Sequence, residues 1–311
     1  MPETLRDIIE SPEPVRVSTG YGFTEGPLWH PRGYLLFSDI RRGFAYRLIP
    51  GGKPEVIRAP GGPDAGKDYQ GWRTVGEAYE NGFNPTNAWT FDIRGRPVIC
   101  EQGGRRILRL EASGSIVPHA SLCEGKRMNR PNDIVCRSDG TLYFSSLGGN
   151  VDPAEKDIPF NCVHRISPAG EVSIAAPHFE FPNGLAFSPD EKLLYVANSR
   201  EHKHIKAFDV AADGTLSNAR IFADMSSDEE GMPDGMKVDV KGRVYCAGSG
   251  GCWVFDASGR HIGIIRLPEN PANCAWGGAD YRTMFFTAHT SVYSLRMTTA
   301  GQRPPGARAA A

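Results

Sequence analysis

Six polar residues stand at equivalent places in a sequence that repeats itself, each just before a short apolar segment. In chain order they are Glu25, Asn87, Asn132, Asn183, Asp234 and Asn273. All six side chains carry oxygen, and a ring of carboxylate and amide oxygens suits a hard divalent cation such as Ca²⁺, which tolerates amide ligands. Two carboxylates would balance the 2+ charge. The alternative is that Asn-Gly and Asp-Gly are ordinary turn dipeptides.

These positions are spaced by a recurring unit that consists of a strand, a turn with Asp, Gly or Pro, and a second strand. Six copies begin roughly 40 to 60 residues apart, at 28–39, 88–101, 133–146, 184–198, 235–248 and 274–288. Most are followed by a third strand, at 106–110, 163–167, 205–210, 252–256 and 292–297. The spacing predicts an all-β, six-bladed β-propeller. A β-sandwich or two smaller β domains are the alternatives.

In a propeller, the loops that enter the innermost strands lie at one mouth of the central channel. The six blades would therefore direct the six polar groups toward one axis. The second strand of each copy ends in a small residue, as expected where neighbouring sheets approach each other: Ser38, Cys100, Ser145, Ala197, Ala247 and Thr287. Cys100 is accordingly interpreted as a packing residue, not as a nucleophile.

The ends of the chain predict how the ring closes. The last copy leaves few residues after its third strand, so its outer strand should come from residues 13–18, which removes exposed sheet edges. We expect an N-terminal extension at 1–12, the propeller at 13–300 and a flexible tail at 301–311. The longest insertion between copies, 59–85, could be a lid or a surface loop.

Composition excludes several functional classes. The 311 residues carry 35 Lys and Arg against 36 Asp and Glu, which disfavours nucleic-acid and membrane-surface binding. No apolar run approaches the roughly 20 residues that span a bilayer. Seven cysteines without a CxxC pair, together with no visible secretory signal, favour a cytoplasmic location. The chain is expected to be a monomer or a small homo-oligomer.

Four segments in order resemble one known family: YGFTEGPLWHPRGYLLFSDI, NRPNDIVCRSDGTLYFSS, FPNGLAFSPDEKLLYVANS and PDGMKVDVKGRVYCAG. They are similar to the senescence marker protein (regucalcin)/gluconolactonase/luciferin-regenerating-enzyme family, over roughly residues 15–298. The resemblance implies a six-bladed propeller with one catalytic divalent metal in its channel and, typically, hydrolysis of sugar lactones.

The resemblance also implies roles for individual residues. Glu25, Asn183 and Asp234 match the family's metal ligands. Asn132 is expected at the metal or at the substrate, and Arg130 resembles a residue that binds substrate oxygens. One departure is the stretch 145–150, SSLGGN, where gluconolactonase-type members often read like TDPPYG. This stretch is expected to line the mouth of the channel, so the difference leaves the particular lactone open.

A mechanism follows as a hypothesis. The metal, Ca²⁺ before Zn²⁺, Mg²⁺ or Mn²⁺, would polarise the lactone carbonyl and activate a water molecule. A carboxylate must accept the proton of that water. Asp234 is our choice for this base, with Asp133 and Glu101 as rivals. The substrate would be held by Arg130, Asn132, Asn87 and Glu101.

Two other functions use the same residues differently. Related propellers hydrolyse organophosphate esters with an oxygen-ligated Ca²⁺, and a propeller can also be a non-catalytic calcium-binding platform. Of the histidines, His202 and His204 are assigned to a solvated outer face, whereas His30 and His289 could approach the substrate. The stretch 61–68 nearly spells a P-loop but lacks its Ser or Thr and its strand–helix context.

Overall fold

The computed structural model describes residues 3–11, 13–59, 85–148, 151, 154 and 156–308. Within these ranges the chain forms six four-stranded antiparallel sheets, each one blade of a β-propeller. No helix among the described residues is long and apolar enough to cross a membrane.

The first three blades follow each other along the chain, and each runs from its innermost to its outermost strand. Blade 1 contains β2 (Thr24–His30), β3 (Tyr34–Asp39), β4 (Phe44–Leu48) and β5 (Glu55–Arg58). Blade 2 contains β6 (Thr86–Phe91), β7 (Pro97–Glu101), β8 (Arg106–Leu110) and β9 (Ile116–Ala120). A short hairpin, β10 (Leu122–Cys123) and β11 (Lys126–Arg127), precedes the third blade. Blade 3 contains β12 (Arg130–Cys136), β13 (Leu142–Leu147), β14 (Asn161–Ile166) and β15 (Val172–Phe179).

The other three blades repeat this order, and the last one borrows a strand from the N-terminus. Blade 4 contains β16 (Pro182–Phe187), β17 (Leu193–Asn198), β18 (His204–Val210) and β19 (Leu216–Asp224). Blade 5 contains β20 (Met236–Val238), β21 (Val244–Gly248), β22 (Gly251–Phe255) and β23 (His261–Ile265). Blade 6 contains β24 (Pro271–Gly277), β25 (Thr283–Ala288), β26 (Ser291–Arg296) and β1 (Val15–Thr19).

Strand β1 closes the ring by pairing antiparallel with β26, from Val15 opposite Ser294 to Thr19 opposite Ser291. The predicted closure by an N-terminal strand is therefore confirmed. This pairing gives blade 6 its outermost strand, covers the edge of β26 and joins the first and last parts of the chain in one sheet.

Burial falls from the axis of the propeller toward its rim. The innermost strands β2, β6, β16 and β24 are buried along their whole length, whereas β19 is mostly exposed. Neighbouring blades cover both faces of an inner strand, so apolar residues are needed among the side chains that point to each face of the sheet.

The small residues that end the second strands are all buried, as predicted. Cys100 packs with Val98 and Ile107 in the core between blades, and burial raises the pKa of its thiol well above the ordinary value. All seven cysteines are buried and free of disulfides. The interpretation of Cys100 as a packing residue agrees with this environment.

The first and last segments that the structure describes, 3–11 and 301–308, lie against the propeller. A four-residue helix, α1 (Leu5–Ile8), precedes β1, and a 3₁₀ helix (Pro305–Arg308) follows the last blade. Within the predicted tail, Gly301 forms a bridge with Asp239, and Ala307 is buried against Leu28 and Trp89. Residues 301–308 thus cross the end of the channel opposite the mouth. The domain boundaries stay a prediction.

Candidate metal centre

The structure brings the six predicted polar residues together where the innermost strands begin. Two chains of side-chain hydrogen bonds connect five of them across blades. Asn87 donates to Asn132 Oδ1 at 2.5 Å, and Asn132 in turn donates to Asn183 Oδ1. On the other side, Asn273 Nδ2 donates to Glu25 Oε2 at 3.0 Å. Residues from the first four blades and from the last one therefore meet at one axis, as the repeat predicted.

The innermost strands carry irregularities that place these residues. In β2 the register shifts between Glu25 and Leu28, in β12 between Pro131 and Ile134, and in β16 between Pro182 and Leu185. A β-bulge bends the strand and redirects a side chain that would otherwise follow the regular alternation. The bulges lie at Glu25, Asn132 and Asn183, so the distortion recurs at the site and not elsewhere along these pairings.

Glycine follows three of these residues, Glu25, Asn183 and Asp234, because a neighbouring blade approaches closely there. A Cβ on Gly184 would lie 2.3 Å from the backbone oxygen of Asp234, and one on Gly235 would lie 1.9 Å from the side chain of Asn273. The Asn-Gly and Asp-Gly dipeptides therefore provide room for inter-blade contact. Neither Gly184 nor Gly235 has a positive φ, so turn chemistry does not explain these two.

Three carboxyl groups converge at this end of the channel. Burial, with the nearby charge of Asp133, raises the pKa of Glu25 to about 7. Burial and then the charges of Glu25 and Asp133 raise the pKa of Asp234 well above its ordinary value. Burial also raises the pKa of Asp133, and the ammonium of Lys237 opposes this shift. A surplus of buried negative charge such as this one favours binding of a cation.

The available donors fit a hard divalent cation. Glu25, Asn183 and Asp234 line one cavity and offer two carboxylates and one amide, all oxygen ligands. Asn87 Oδ1 is a buried oxygen without a hydrogen-bond partner among the described residues. No group of three His, Cys, Asp or Glu side chains forms a metal site in the ranges that the structure describes, so a cation here needs an amide ligand. This composition suits Ca²⁺ better than Zn²⁺.

A cavity of about 380 Å³ opens above the ring. Its floor includes Glu25, Asn87, Asn132, Asn183 and Asp234. Its walls are more apolar and include Phe23, Leu147 and Phe181, with three arginines, Arg41, Arg130 and Arg200. The size and the mixture of apolar wall and polar floor are those of a site for a small molecule.

Arg130 lies in this cavity, as predicted, and it is held by a residue that the sequence analysis missed. Arg130 Nη2 donates to Gln102 Oε1 at 2.8 Å, and Gln102 Nε2 donates to Asn132 Oδ1 at 2.8 Å. Gln102 immediately follows β7 and lines the cavity. Gln102 stands two residues after Cys100, the small residue that ends the second strand of this copy. This position could have identified Gln102, because the same place in each copy borders the mouth.

Glu101 was predicted to bind substrate or to act as a base, and the structure does not bring it to the cavity. Its side chain is fully buried in ion pairs with Arg58 and Arg106. Successive residues of a strand point to opposite faces, so Gln102 reaches the cavity where Glu101 cannot. Asp133, the other rival base, contacts Asn273 and does not line the cavity either.

The two undecided histidines separate clearly. His289 lines the cavity and lies against Phe23, with 5.5 Å between ring centroids. His30 stacks on Tyr34 at 4.3 Å, and burial with the charge of Arg32 lowers its pKa to about 4. His202 pairs with Asp224 on the surface, as expected for an outer face, whereas His204 is buried, so its assignment to a solvated face was wrong. His289 is therefore the one of these that can contact a ligand of the cavity.

Two predictions fall on parts of the chain outside the described residues. These are the insertion at 59–85, of which only Ala59 and Pro85 are described, and the last two residues of the stretch 145–150. The near-P-loop at 61–68 lies in the same insertion. Leu147, from the described part of the second stretch, lines the cavity. That placement agrees with the prediction that the stretch borders the mouth.

Comparisons with known proteins agree with the motifs. A model of the SMP-30/Gluconolactonase/LRE-like region matches residues 23–290. A gluconolactonase from Zymomonas mobilis is 28% identical, covering 96% of this chain and 85% of that protein. Regucalcin from Xenopus laevis is 27% identical over 88% of this chain and 85% of its own. The solved structure of a gluconolactonase from Xanthomonas campestris aligns with a TM-score of 0.79 and 28% identity, over 94% of this chain and 92% of that one.

Proposed function

This chain belongs to the SMP-30/gluconolactonase/LRE-like family, and we propose that it is a divalent-metal-dependent hydrolase that opens the ring of a sugar lactone. The observation that carries the proposal is the convergence of Glu25, Asn183 and Asp234 on the floor of a cavity of small-molecule size. The similarity to gluconolactonases over most of the chain supports the same reaction class.

We assign the metal to Glu25, Asn183 and Asp234, with Asn132 beside them, and expect Ca²⁺ as the preferred ion. When bound, the cation supplies Lewis-acid polarisation of a carbonyl group and offsets the negative charge that develops on its oxygen. Two carboxylates neutralise the charge of the ion, and the oxygen-only donor set matches the ligands that Ca²⁺ prefers.

The protein residues hold the substrate and move the proton. Arg130 and the amides of Asn87, Asn132 and Gln102 can donate hydrogen bonds to the hydroxyl oxygens of a sugar ring. Among the three carboxylates considered for the base, Asp234 alone lines the cavity, so we assign to it the proton of the attacking water. The water oxygen bonds to the carbonyl carbon, the ring C–O bond breaks, and the ring oxygen takes a proton to give a hydroxy acid.

The test is proton release from a panel of aldonolactones and simple lactones at constant pH. Chelator-treated protein is compared with the same protein resupplied with Ca²⁺, Mg²⁺, Mn²⁺ or Zn²⁺, and calorimetry records binding of each ion. We expect hydrolysis to return with Ca²⁺ first. Protein that binds an ion and hydrolyses no lactone above the spontaneous rate would contradict the proposal.

A further inference from the structure

Two arginines occupy the same repeat position at opposite sides of the cavity. Arg41 and Arg200 each stand three residues after the small residue that ends the second strand, in blades 1 and 4. The other four copies have Gly103, Gly148, Gly250 and Thr290 at this position. In a ring of six blades, the first and the fourth face each other, so the two guanidinium groups lie on opposite walls.

Each of these arginines is held against an aromatic ring of the cavity wall. The guanidinium carbon of Arg41 lies 5.6 Å from the centroid of Phe23, and that of Arg200 lies 4.4 Å from the centroid of Phe181. Stacking uses the face of the guanidinium and leaves the N–H donors in its plane able to bind an anion. In the described part of the chain, neither arginine forms an ion pair with a carboxylate.

The charges that line the cavity do not balance once a divalent cation is present. The acids of the lining are Glu25, Asp234 and Glu230, against three arginines. A divalent cation offsets Glu25 and Asp234, which leaves Arg41 and Arg200 opposed by Glu230 among the described lining residues. These two arginines then exceed the remaining lining acid by one positive charge. A neutral sugar lactone needs hydrogen-bond donors and acceptors, and its binding does not require excess positive charge in the cavity.

We propose that the substrate is a lactone that carries a second, anionic group, a carboxylate or a phosphate, away from its ring carbonyl. This inference rests on the proposed function and narrows its substrate class. Either Arg41 or Arg200 binds the anionic group at its own wall of the cavity, while Arg130 and the amides hold the ring. The guanidinium fork matches both carboxylate and phosphate oxygens.

The test compares matched substrates. We would measure kcat/KM of the calcium-loaded protein for two pairs: glucono-1,5-lactone with its 6-phosphate, and glucono-1,4-lactone with glucaro-1,4-lactone, which bears a carboxylate. The expected result is a preference of about tenfold or more for one of the anionic lactones. The two anionic substrates distinguish phosphate from carboxylate. Equal or lower kcat/KM for both anionic lactones would overturn the inference.

Variants show whether the two arginines cause the preference. In the double variant Arg41→Gln/Arg200→Gln, the ratio of anionic to neutral kcat/KM should fall about tenfold, and the single variants identify the binding wall. The matched control is Arg303→Gln, because Arg303 stacks on Tyr281 at the same 4.4 Å but lies at the opposite end of the channel. A ratio that the double variant leaves unchanged would contradict the assignment.

Two further measurements test the inference: the salt dependence of the preference tests its electrostatic origin, and calorimetry tests the charge preference without turnover. Raising the ionic strength should reduce the preference of the wild type, because salt screens exposed charges, whereas a structural effect of the substitutions would not depend on salt. If no lactone is hydrolysed, calorimetry with glucarate and gluconate still tests the charge preference. The dicarboxylate should bind the wild type about tenfold more tightly than gluconate does, and the double variant should lose this difference. Equal binding would overturn the inference whatever the activity.

Discussion

Acidic side chains at the mouth of the channel and on the opposite face of the propeller have different kinds of partner. On the face of the propeller opposite the mouth, the buried Asp92 and Asp239 and the partly exposed Asp256 each begin an Asp-x-x-Gly-Arg turn. Asp239 is typical of them: its Oδ1 accepts the backbone N–H groups of Lys241 and Arg243, and its Oδ2 accepts Arg243 Nε at 2.6 Å. At the mouth, the partners of Glu25 and Asp133 are amides and backbone N–H groups.

This difference separates acids that build the fold from acids that can serve a ligand. Each aspartate of the three turns has an arginine four residues later, so its charge is balanced inside the protein. Burial raises the pKa of all three carboxyl groups at the mouth, neighbouring carboxylates raise those of Glu25 and Asp234 further, and Lys237 opposes the shift at Glu25 and Asp133. Uncompensated buried charge costs folding free energy, which binding of a cation can return.

The strongest test of this contrast is Asp234→Asn, which keeps the size of the side chain and removes its charge. We expect lactone turnover to fall about 10³-fold or more and calcium affinity about 100-fold or more, because a ligand and the assigned base are lost together. The free energy of unfolding of the metal-free protein should not fall, since the variant removes a repulsive charge. Proton release, calorimetry and urea denaturation measure these three quantities.

Near-wild-type turnover in Asp234→Asn would remove this residue from the site. A loss of stability in the metal-free variant, comparable to that of a buried ion pair, would show that Asp234 is compensated within the fold. Either result would erase the distinction between the two ends of the channel.

The matching substitution at the other end, Asp239→Asn, should change stability and leave the metal site intact. It breaks a buried ion pair and leaves Arg243, which is 2% exposed, with Glu3 as its remaining acid partner. We expect the free energy of unfolding to fall by about 3 kcal/mol, as measured by urea denaturation. Calcium affinity by calorimetry should stay within about twofold of the wild type. A large loss of affinity instead would mean that the two ends are coupled.

Much of the fold could be predicted because the repeat is encoded locally. Alternating apolar residues and Gly- or Asp-containing turns recur in each copy, and the third strand of blade 2, for example, was predicted at the residues that form β8, Arg106–Leu110. Closure by residues near the N-terminus followed from counting strands. The packing of Ala307 and its neighbours depends on contacts with strands far away in sequence, which the pattern of the tail does not reveal.

The site was predictable where the repeat controls it. The positions of Glu25, Asn183 and Asp234 follow from their equivalent places in the copies. Gln102 was missed and Glu101 misplaced because a one-residue difference at a strand end decides which face a side chain occupies. The resemblance assigned the roles of the ligands, and those roles stay a prediction. The location in the cytoplasm and the oligomeric state also stay predictions.

The smallest expected effect is the loss of stability in Asp256→Asn and its dependence on pH. Partial burial would raise the pKa of Asp256, but hydrogen bonds from Ser258 and Arg260 outweigh it and hold this pKa below its ordinary value. The carboxylate therefore contributes stability above the pKa of the unfolded chain, about 4, and this contribution is lost as pH falls through the lower folded-state pKa. Because the pair with Arg260 is partly exposed, we expect the substitution to cost only about 0.5 kcal/mol at pH 7. Urea denaturation of both proteins between pH 7 and strongly acidic pH should show the difference constant at first and then shrinking. A difference that grows on acidification would mean that this aspartate, like those at the mouth, is held in the fold without sufficient compensation.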